Sequence, residues 1–192
     1  MRINRFVLMS LIFAALFMFG APQVAPAAIV FSVSISPPPL PVYAQPACPG
    51  PGYMWVPGYW AYDGGYFWVP GTWVMIPQIG YYWTPGYWGW NGSLFVFNAG
   101  YWGPQVGFYG GIDYGFGYTG VGFQGGYWNH GVFFYNRSVT NVGTVHNVYS
   151  RRVRVSNMSR VSFNGGVGGI TARPTAAEMA AAHNRHVGPT QA

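Results

Sequence analysis

The chain has 192 residues, of which 6% are charged and 20% are aromatic, and it contains 29 glycines and 16 prolines. Soluble globular proteins carry about 25% charged residues, so this composition excludes a coiled coil and an ordinary charged enzyme surface. Collagen is excluded because no strict glycine period is present, and plain disorder is disfavoured because disordered chains are poor in aromatic residues. The formal net charge is +6, yet residues 28–136 contain no arginine or lysine.

The first 27 residues have the three parts of a secretory signal peptide. Arg2 and Arg5 form a basic start, residues 6–19 form an apolar run, and Ala25-Pro26-Ala27 offers a small-x-small cleavage site. The apolar run is shorter than the about 20 residues that a membrane-spanning helix needs, and an uncleaved N-terminal anchor is the alternative. We therefore predict an exported protein that is periplasmic, outer-membrane associated or secreted.

Residues 28–52 form a proline-rich N-terminal segment. Residues 29–35 alternate apolar and small polar types, which predicts a short strand. Residues 37–41 are expected to be extended, because proline fixes φ and disfavours helix in the residue before it. Cys48 is the only cysteine, so no intrachain disulfide can form, and it lies too far past the apolar run to suit a lipid anchor.

Residues 53–135 form an aromatic repeat domain. The block Tyr-x-Trp-x-Pro-Gly-x-Trp recurs at intervals of about 14 residues, with the later copies degenerate. Its copies begin at Tyr53, Tyr66, Tyr81, Phe95 and Val121. Tyr and Trp two residues apart fall on one face of a strand, and aromatic residues favour strands. The repeat therefore predicts β-structure, with further strands over residues 104–126.

Turn residues between the copies predict hairpins. Asp63-Gly64-Gly65 follows the first copy and Asn91-Gly92 follows the third, and these residue types tolerate positive φ. A three-residue loop and a four-residue loop predict these cross-strand pairs: Tyr62 with Tyr66, Trp60 with Trp68, Trp90 with Phe95, and Trp88 with Phe97. The loops are too short for crossovers, so the fold class is all-β, an antiparallel meander of aromatic-rich hairpins with flexible termini.

The Pro-Gly pair inside each copy has two interpretations. It is either the centre of a type II turn between strands of about four residues, or a bulge within one strand of about ten residues. We favour the bulge, because proline needs an unpaired position in a sheet.

Residues 136–192 form a polar and basic C-terminal region. Residues 135–155 predict one or two edge strands, and a short helix is expected near residues 176–183, where Thr175 and Glu178 have the spacing of a capping box. Arg151, Arg152 and Arg154 are candidates for contact with an anionic surface, such as lipid or polymer headgroups. Export separates this cluster from cellular nucleic acid, so we predict no nucleic-acid partner.

The repeated block resembles the YXWGXW (WXXGXW) repeat family of bacterial exported proteins. The resemblance extends beyond the block, over residues 37–43, 48–53, 100–104, 107–112, 161–166 and 172–175. It implies a secreted or envelope protein with no established activity.

The residue types that catalysis needs are scarce. Asp63 and Asp113 are the only acids in the repeat domain, and Asp63 falls in a predicted turn, where aspartate is common. The four histidines lie in turns, in a polar strand and near the C-terminus, without the cysteines or acids that complete a metal site. We therefore predict no catalytic residue, no metal and no cofactor.

The tryptophans of the repeats are the strongest candidates for function. We interpret them first as structural anchors between sheets, and second as a platform on which sugar rings stack. The set is Trp55, Trp60, Trp68, Trp73, Trp83, Trp88 and Trp102. The predicted function is an exported cell-envelope repeat protein with a structural or binding role and no catalytic activity, whose partner is a cell-wall or surface polysaccharide or a second copy. A small outer-membrane barrel is a further alternative, but frequent Gly-Pro interruptions fit poorly with its lipid-facing band.

Overall fold

A computed structural model of the chain describes residues 32–154 and 159–189. The predicted signal peptide, the first residues of the strand expected over 29–35 and the end of the 135–155 segment lie outside these ranges. The described residues form short strands and one helix. In chain order they are β1 (Ser32–Val33), β2 (Tyr53–Val56), β3 (Tyr59–Tyr62), β4 (Tyr66–Val69), β5 (Thr72–Met75), β6 (Tyr82–Thr84), β7 (Tyr87–Trp90), β8 (Phe95–Asn98), β9 (Tyr101–Gly103), β10 (Asp113–Gly115), β11 (Tyr118–Thr119), β12 (Gly126–Asn129), β13 (Val132–Asn136), β14 (Val148–Tyr149), β15 (Phe163–Asn164) and the helix α1 (Ala176–His183).

Strands β2 to β5 form one long antiparallel hairpin with a gap in its middle. Near the loop β3 pairs with β4, and beyond the gap β2 pairs with β5. Trp60 lies opposite Trp68, and Trp55 lies opposite Trp73. The cross-strand pairs predicted around the Asp63 loop are confirmed. Their rings also touch, since the centroids of Trp60 and Trp68 are 5.3 Å apart.

Strands β6 to β9 repeat this arrangement in a second hairpin. Strand β7 pairs with β8 near the loop, and β6 pairs with β9 beyond the gap. Trp88 lies opposite Phe97 and Trp90 opposite Phe95, as the four-residue loop predicts. The Trp83–Trp102 pair occupies the same place here as Trp55–Trp73 does in the first hairpin.

The gap in each hairpin consists of two short segments that face each other. In the first hairpin Pro57-Gly58 faces Pro70-Gly71, and the pairs on either side, Val56 with Thr72 and Tyr59 with Val69, keep one register. The predicted bulge is therefore wrong, because a bulge adds a residue to one strand and shifts the register. A type II turn at Pro-Gly is also wrong, because it requires a positive φ at the glycine, and Gly58, Gly71 and Gly86 are not among the glycines with positive φ. In the first hairpin each proline removes a ladder donor, one on each strand, so the ladder stops on both strands at once.

Glycine is needed in these gaps because an indole ring lies directly on the backbone. A Cβ atom on Gly58 would overlap the Trp68 ring, and one on Gly71 would overlap the Trp55 ring. The second hairpin has the same contact between Gly100 and Trp83. The spacing of Trp and Gly that recurs in both hairpins thus has a steric cause.

The remaining strands extend the second hairpin or form small sheets of their own. Strands β1 and β15 flank the hairpin pair in a sheet of order β1-β8-β7-β15, a second sheet has the order β12-β13-β14, and β10 pairs with β11. The all-β prediction is confirmed, but the hairpins lie in separate open sheets and do not form one continuous meander. Two pairs, β13 with β14 and β15 with β7, are parallel, which short-loop reasoning does not predict.

The core is built from aromatic side chains, and two of its buried tyrosines donate hydrogen bonds inside it, whereas the buried indole N–H groups of Trp55, Trp60 and Trp83 have no partner among the described residues. Tyr118 is fully buried and donates its hydroxyl to the Trp83 carbonyl at 2.9 Å, and Tyr114 donates to the Gly86 carbonyl in the second gap at 2.7 Å. Burial raises the pKa of both phenols far above the usual value. Tyrosine thus supplies bulk to the core and hydrogen bonds to backbone groups that the interrupted ladder leaves free.

The predicted C-terminal helix is confirmed with its cap. The Thr175 backbone N–H donates to Glu178 Oε2 at 2.8 Å, and the Glu178 N–H donates to Thr175 Oγ1 at 3.2 Å, which is a complete capping box. Within the described ranges, no helix has the length and apolar character that crossing a membrane requires.

Candidate functional site

The two hairpins meet where the loop end of the first packs against the second. The Trp88 indole N–H donates to the Trp60 carbonyl at 2.8 Å. The rings of Tyr66 and Trp88 lie 5.3 Å apart edge to face, and those of Tyr59 and Phe97 are stacked at 5.3 Å. Aromatic pairs in such geometries add stabilisation beyond their buried area, so these contacts fix the hairpins against each other.

An open cavity of about 330 Å³ lies at this junction, and we call it the inter-hairpin groove. Its volume is at the lower end of the range of about 300–1,000 Å³ that is usual for ligand sites. Most of its lining is aromatic. The lining residues are Tyr59, Ala61, Tyr62, Asp63, Phe67, Trp88 and Phe97.

Strand alternation places the aromatic wall of the groove. Tyr59 and Ala61 share one face of β3, and Phe67 lies opposite Ala61 on β4. Trp60 and Trp68 therefore point to the other face, toward the core. The small side chain of Ala61 leaves room beside Phe67, which is 50% exposed. An exposed phenylalanine beside an alanine forms an apolar surface that water contacts freely.

Polar groups stand beside this apolar surface. Asp63 lies exposed in the loop, where its N–H donates to the Gly65 carbonyl at 3.0 Å, and its carboxylate is an acceptor at one end of the groove. Tyr59 and Tyr62 add phenol hydroxyls that donate and accept. Aromatic faces with a few polar groups around them suit a ligand that has both apolar and hydroxylated surfaces.

The seven tryptophans singled out from the sequence do not form one exposed ridge. Four of them are buried: Trp55, Trp83, Trp88 and Trp102. The other three, Trp60, Trp68 and Trp73, are half-buried. Of the seven, Trp88 lines the inter-hairpin groove, and it is only 2% exposed. The structure therefore places them as anchors between strands and leaves little ring surface for stacking.

The groove aromatics other than Trp88 were not singled out by sequence reasoning. Phe67 occupies the variable position of the Tyr-x-Trp block, and strand alternation puts that position on the face opposite the tryptophan. That alternation was a usable signal for Phe67. The approach of Phe97 to Tyr59 had no local signal, because it depends on how two hairpins pack.

The arginine cluster lies on a different part of the surface. Arg151, Arg152 and Arg154 are all exposed and follow β14. The Arg151 backbone is held by Asn136, whose Oδ1 accepts its N–H at 2.9 Å and whose Nδ2 donates to its carbonyl at 2.8 Å. The side chains thus face solvent from an anchored backbone, and their contact with an anionic surface stays a prediction.

The acids and the cysteine are placed apart from each other. Asp113 accepts the Gly115 N–H at 2.9 Å, and burial raises the pKa of its carboxyl; it lines a different cavity from Asp63. Cys48 is buried, donates to the Gly50 carbonyl at 3.1 Å, and has a pKa raised by burial. Residues 32–154 and 159–189 contain no group of three or more His, Cys, Asp or Glu side chains that could hold a metal ion.

Comparison with known protein families finds the WXXGXW repeat in two copies, at residues 50–74 and 79–102. The first copy spans β2 to β4 and most of β5, and the second spans β6 to β8 and most of β9. Searches of curated proteins and of solved structures returned no match. Each family copy thus contains two of the shorter blocks read from the sequence. The chain thus carries two copies of the WXXGXW repeat, and one copy of the repeat is one interrupted hairpin.

Proposed function

We propose that the protein is an exported, non-catalytic component of the cell envelope, whose two repeat hairpins hold an aromatic groove that binds a polysaccharide. The observation that carries this proposal is the inter-hairpin groove, with its exposed Phe67 and its stacked Tyr59–Phe97 pair. The buried tryptophans serve this function indirectly, because they hold both hairpins in a fixed relation.

Sugar chemistry fits the groove better than other ligand classes do. The C–H faces of a pyranose are apolar and stack on aromatic rings, while its hydroxyls need acceptors and donors. Phe67 offers the ring, and Asp63 and Tyr62 offer the polar groups. A highly charged ligand would find no arginine in the lining, and a purely apolar ligand would leave the Asp63 carboxylate unused.

Export and the lack of catalysis belong to the same proposal. The signal-peptide pattern over residues 1–27 supports export, and it predicts that the mature chain begins at Ala28. Asp63 and Asp113 line different cavities, whereas glycoside hydrolysis requires two carboxylates that flank one bond. N-terminal sequencing of the protein from a periplasmic or extracellular fraction tests export, and a cytosolic protein that begins at Met1 would contradict it.

The binding proposal is tested by affinity for isolated cell-wall and surface polysaccharides. Phe67→Ala removes the exposed ring, and we expect affinity to fall about tenfold, since a stacked ring contributes up to about 1.5 kcal/mol. Tyr127→Ala is the matched control, because Tyr127 is a 43% exposed strand aromatic that does not line the groove. Equal affinity of the two variants, or no binding to any polysaccharide, would overturn the groove assignment.

Self-association is the second candidate function. The pairs β2–β5 and β3–β4 are each two-stranded sheets, so their outer strand edges carry no further ladder in the described residues, whereas the edge of β9 is bridged to Val187. Uncharged edges of this kind favour pairing with another chain. Sedimentation velocity over a range of protein concentrations tests this role, and a monomer at every concentration would rule it out.

A further inference from the structure

A second cavity, separate from the inter-hairpin groove, lies between helix α1 and the second hairpin. Its volume is about 360 Å³, and we call it the helix pocket. Tyr87 and Tyr101 line it from the hairpin, Phe108 from the segment that follows, and Glu178 and Met179 from the helix. The two cavities share no lining residue.

Glu178 is the unusual member of this lining, because it is a carboxylate that is only 4% exposed. Its Oε2 accepts from the Thr175 N–H at 2.8 Å and from the Thr175 hydroxyl at 2.9 Å. Its Oε1 is buried and has no hydrogen-bond partner among residues 32–154 and 159–189. The capping box therefore explains one oxygen of the carboxylate and leaves the other unexplained. A buried charge without a partner is costly, so a complementary group at this position would stabilise the fold.

The rest of the pocket wall is mostly aromatic and apolar, and Thr84 and Asn98 are its other polar members. The rings of Tyr87 and Phe108 meet edge to face with centroids 5.4 Å apart and an interplanar angle of 81°, so they form two sides of a corner. Tyr101 adds a third ring, which contacts His186 at 4.9 Å. Aromatic faces attract cations through the ring quadrupole, and three rings that line one cavity together with a glutamate suit a quaternary ammonium group.

We propose that the helix pocket binds a small organic cation of the trimethylammonium class, with Glu178 as the counter-charge and Tyr87, Tyr101 and Phe108 as the aromatic walls. A metal ion fits less well, because magnesium and calcium need several oxygen ligands and Glu178 is the one carboxylate in the lining. A primary ammonium is strongly hydrated and needs more acceptors than these walls provide. Methylated nitrogen needs no hydrogen bonds and gains from contact with Met179 and Phe108.

The test uses the full mature chain and two probes of nearly the same shape. Choline carries the cation, and 3,3-dimethyl-1-butanol is its neutral analogue. In calorimetric titrations we expect choline to bind at least tenfold more tightly than the alcohol. Glu178→Gln keeps an oxygen acceptor for the capping box but removes the charge, and it should abolish the preference for choline. Tyr127→Ala should leave choline affinity unchanged, because Tyr127 lines neither the helix pocket nor the inter-hairpin groove.

Two further experiments identify the source of the cation and control for misfolding of the variant. Binding to phosphatidylcholine vesicles in addition to free choline, lost with Glu178→Gln, would assign a lipid headgroup, whereas free choline alone would assign a soluble solute. If Glu178→Gln loses the helix by circular dichroism, Phe108→Leu makes the decision, because it removes one aromatic wall and spares the cap. Absence of choline binding at millimolar concentration, equal affinity for the alcohol, or full binding by the folded variants would overturn the proposal.

Discussion

Replacing Gly58 by alanine tests whether the indole ring that packs on this glycine leaves no room for a side chain in the gap of the hairpin. The new methyl group would overlap the Trp68 ring, and it would lie 2.6 Å from the Val69 carbonyl oxygen and 2.9 Å from the Gly71 nitrogen. Two of these neighbours are backbone atoms of the facing segment, which cannot turn away as a side chain can. Overpacking a tight site costs about 1–3 kcal/mol, and we expect a loss near 3 kcal/mol because ring and backbone must both move.

Gly65→Ala in the loop of the same hairpin is the matched control. Gly65 has nothing within 4 Å of a new Cβ and no positive φ, so its substitution should change stability by less than about 0.5 kcal/mol. Urea unfolding followed by tryptophan fluorescence gives both free energies, and the slope of the transition shows whether either variant alters the unfolded state. Equal midpoints for Gly58→Ala and Gly65→Ala would refute the steric argument for the gaps.

Two further predictions concern the aromatic core. Trp88→Ala should lower the free energy of unfolding by about 3–5 kcal/mol, because it leaves a cavity and removes the hydrogen bond to the Trp60 carbonyl. Thermal or urea unfolding measures this free energy. A loss below about 1 kcal/mol would contradict the role of Trp88 as an anchor. Burial raises the pKa of Tyr43 and Tyr66 from 10.0 to about 12. The unfolded chain therefore loses phenol protons first, so the contribution of these two tyrosines to stability should be constant up to about pH 10 and fall as the pH rises toward 12. Phenolate absorbance should then appear together with loss of the fold, and gradual phenolate formation in a chain that stays folded would contradict this.

The pairing of strands within each hairpin was predictable from the sequence, whereas the structure of the Pro-Gly gap was not. Loop residues fix the register of nearby strands, which is why the pairs of Trp60 with Trp68 and Trp88 with Phe97 followed from the sequence. The same register, carried further, brings Pro57-Gly58 opposite Pro70-Gly71, a relation that neither segment shows by itself. Helix α1 was equally predictable, because its capping box and alanine run are local signals.

The candidate site depended on contacts between distant parts of the chain. The groove exists because the first hairpin crosses Trp88 and Phe97 of the second, and no local pattern encodes that crossing. The parallel pairing of β15 with β7, which brings Phe163 beside Trp88, is also long-range. The sequence pointed to the tryptophans because they are frequent, but their rings are buried or half-buried, and Phe67 is the exposed ring of the groove.

The two hairpins have equivalent aromatic faces although their loops differ in length. The loop of the first has three residues, between Tyr62 and Tyr66, and that of the second has four, between Trp90 and Phe95. Pairing is counted outward from the ends of the loop, so an added residue at the tip leaves every partner below it unchanged. The tips are therefore places where such proteins can diverge in length and chemistry at little cost to the scaffold. An epitope or reporter peptide inserted at Gly64 or Gly92 should be displayed without disturbing the packing beneath.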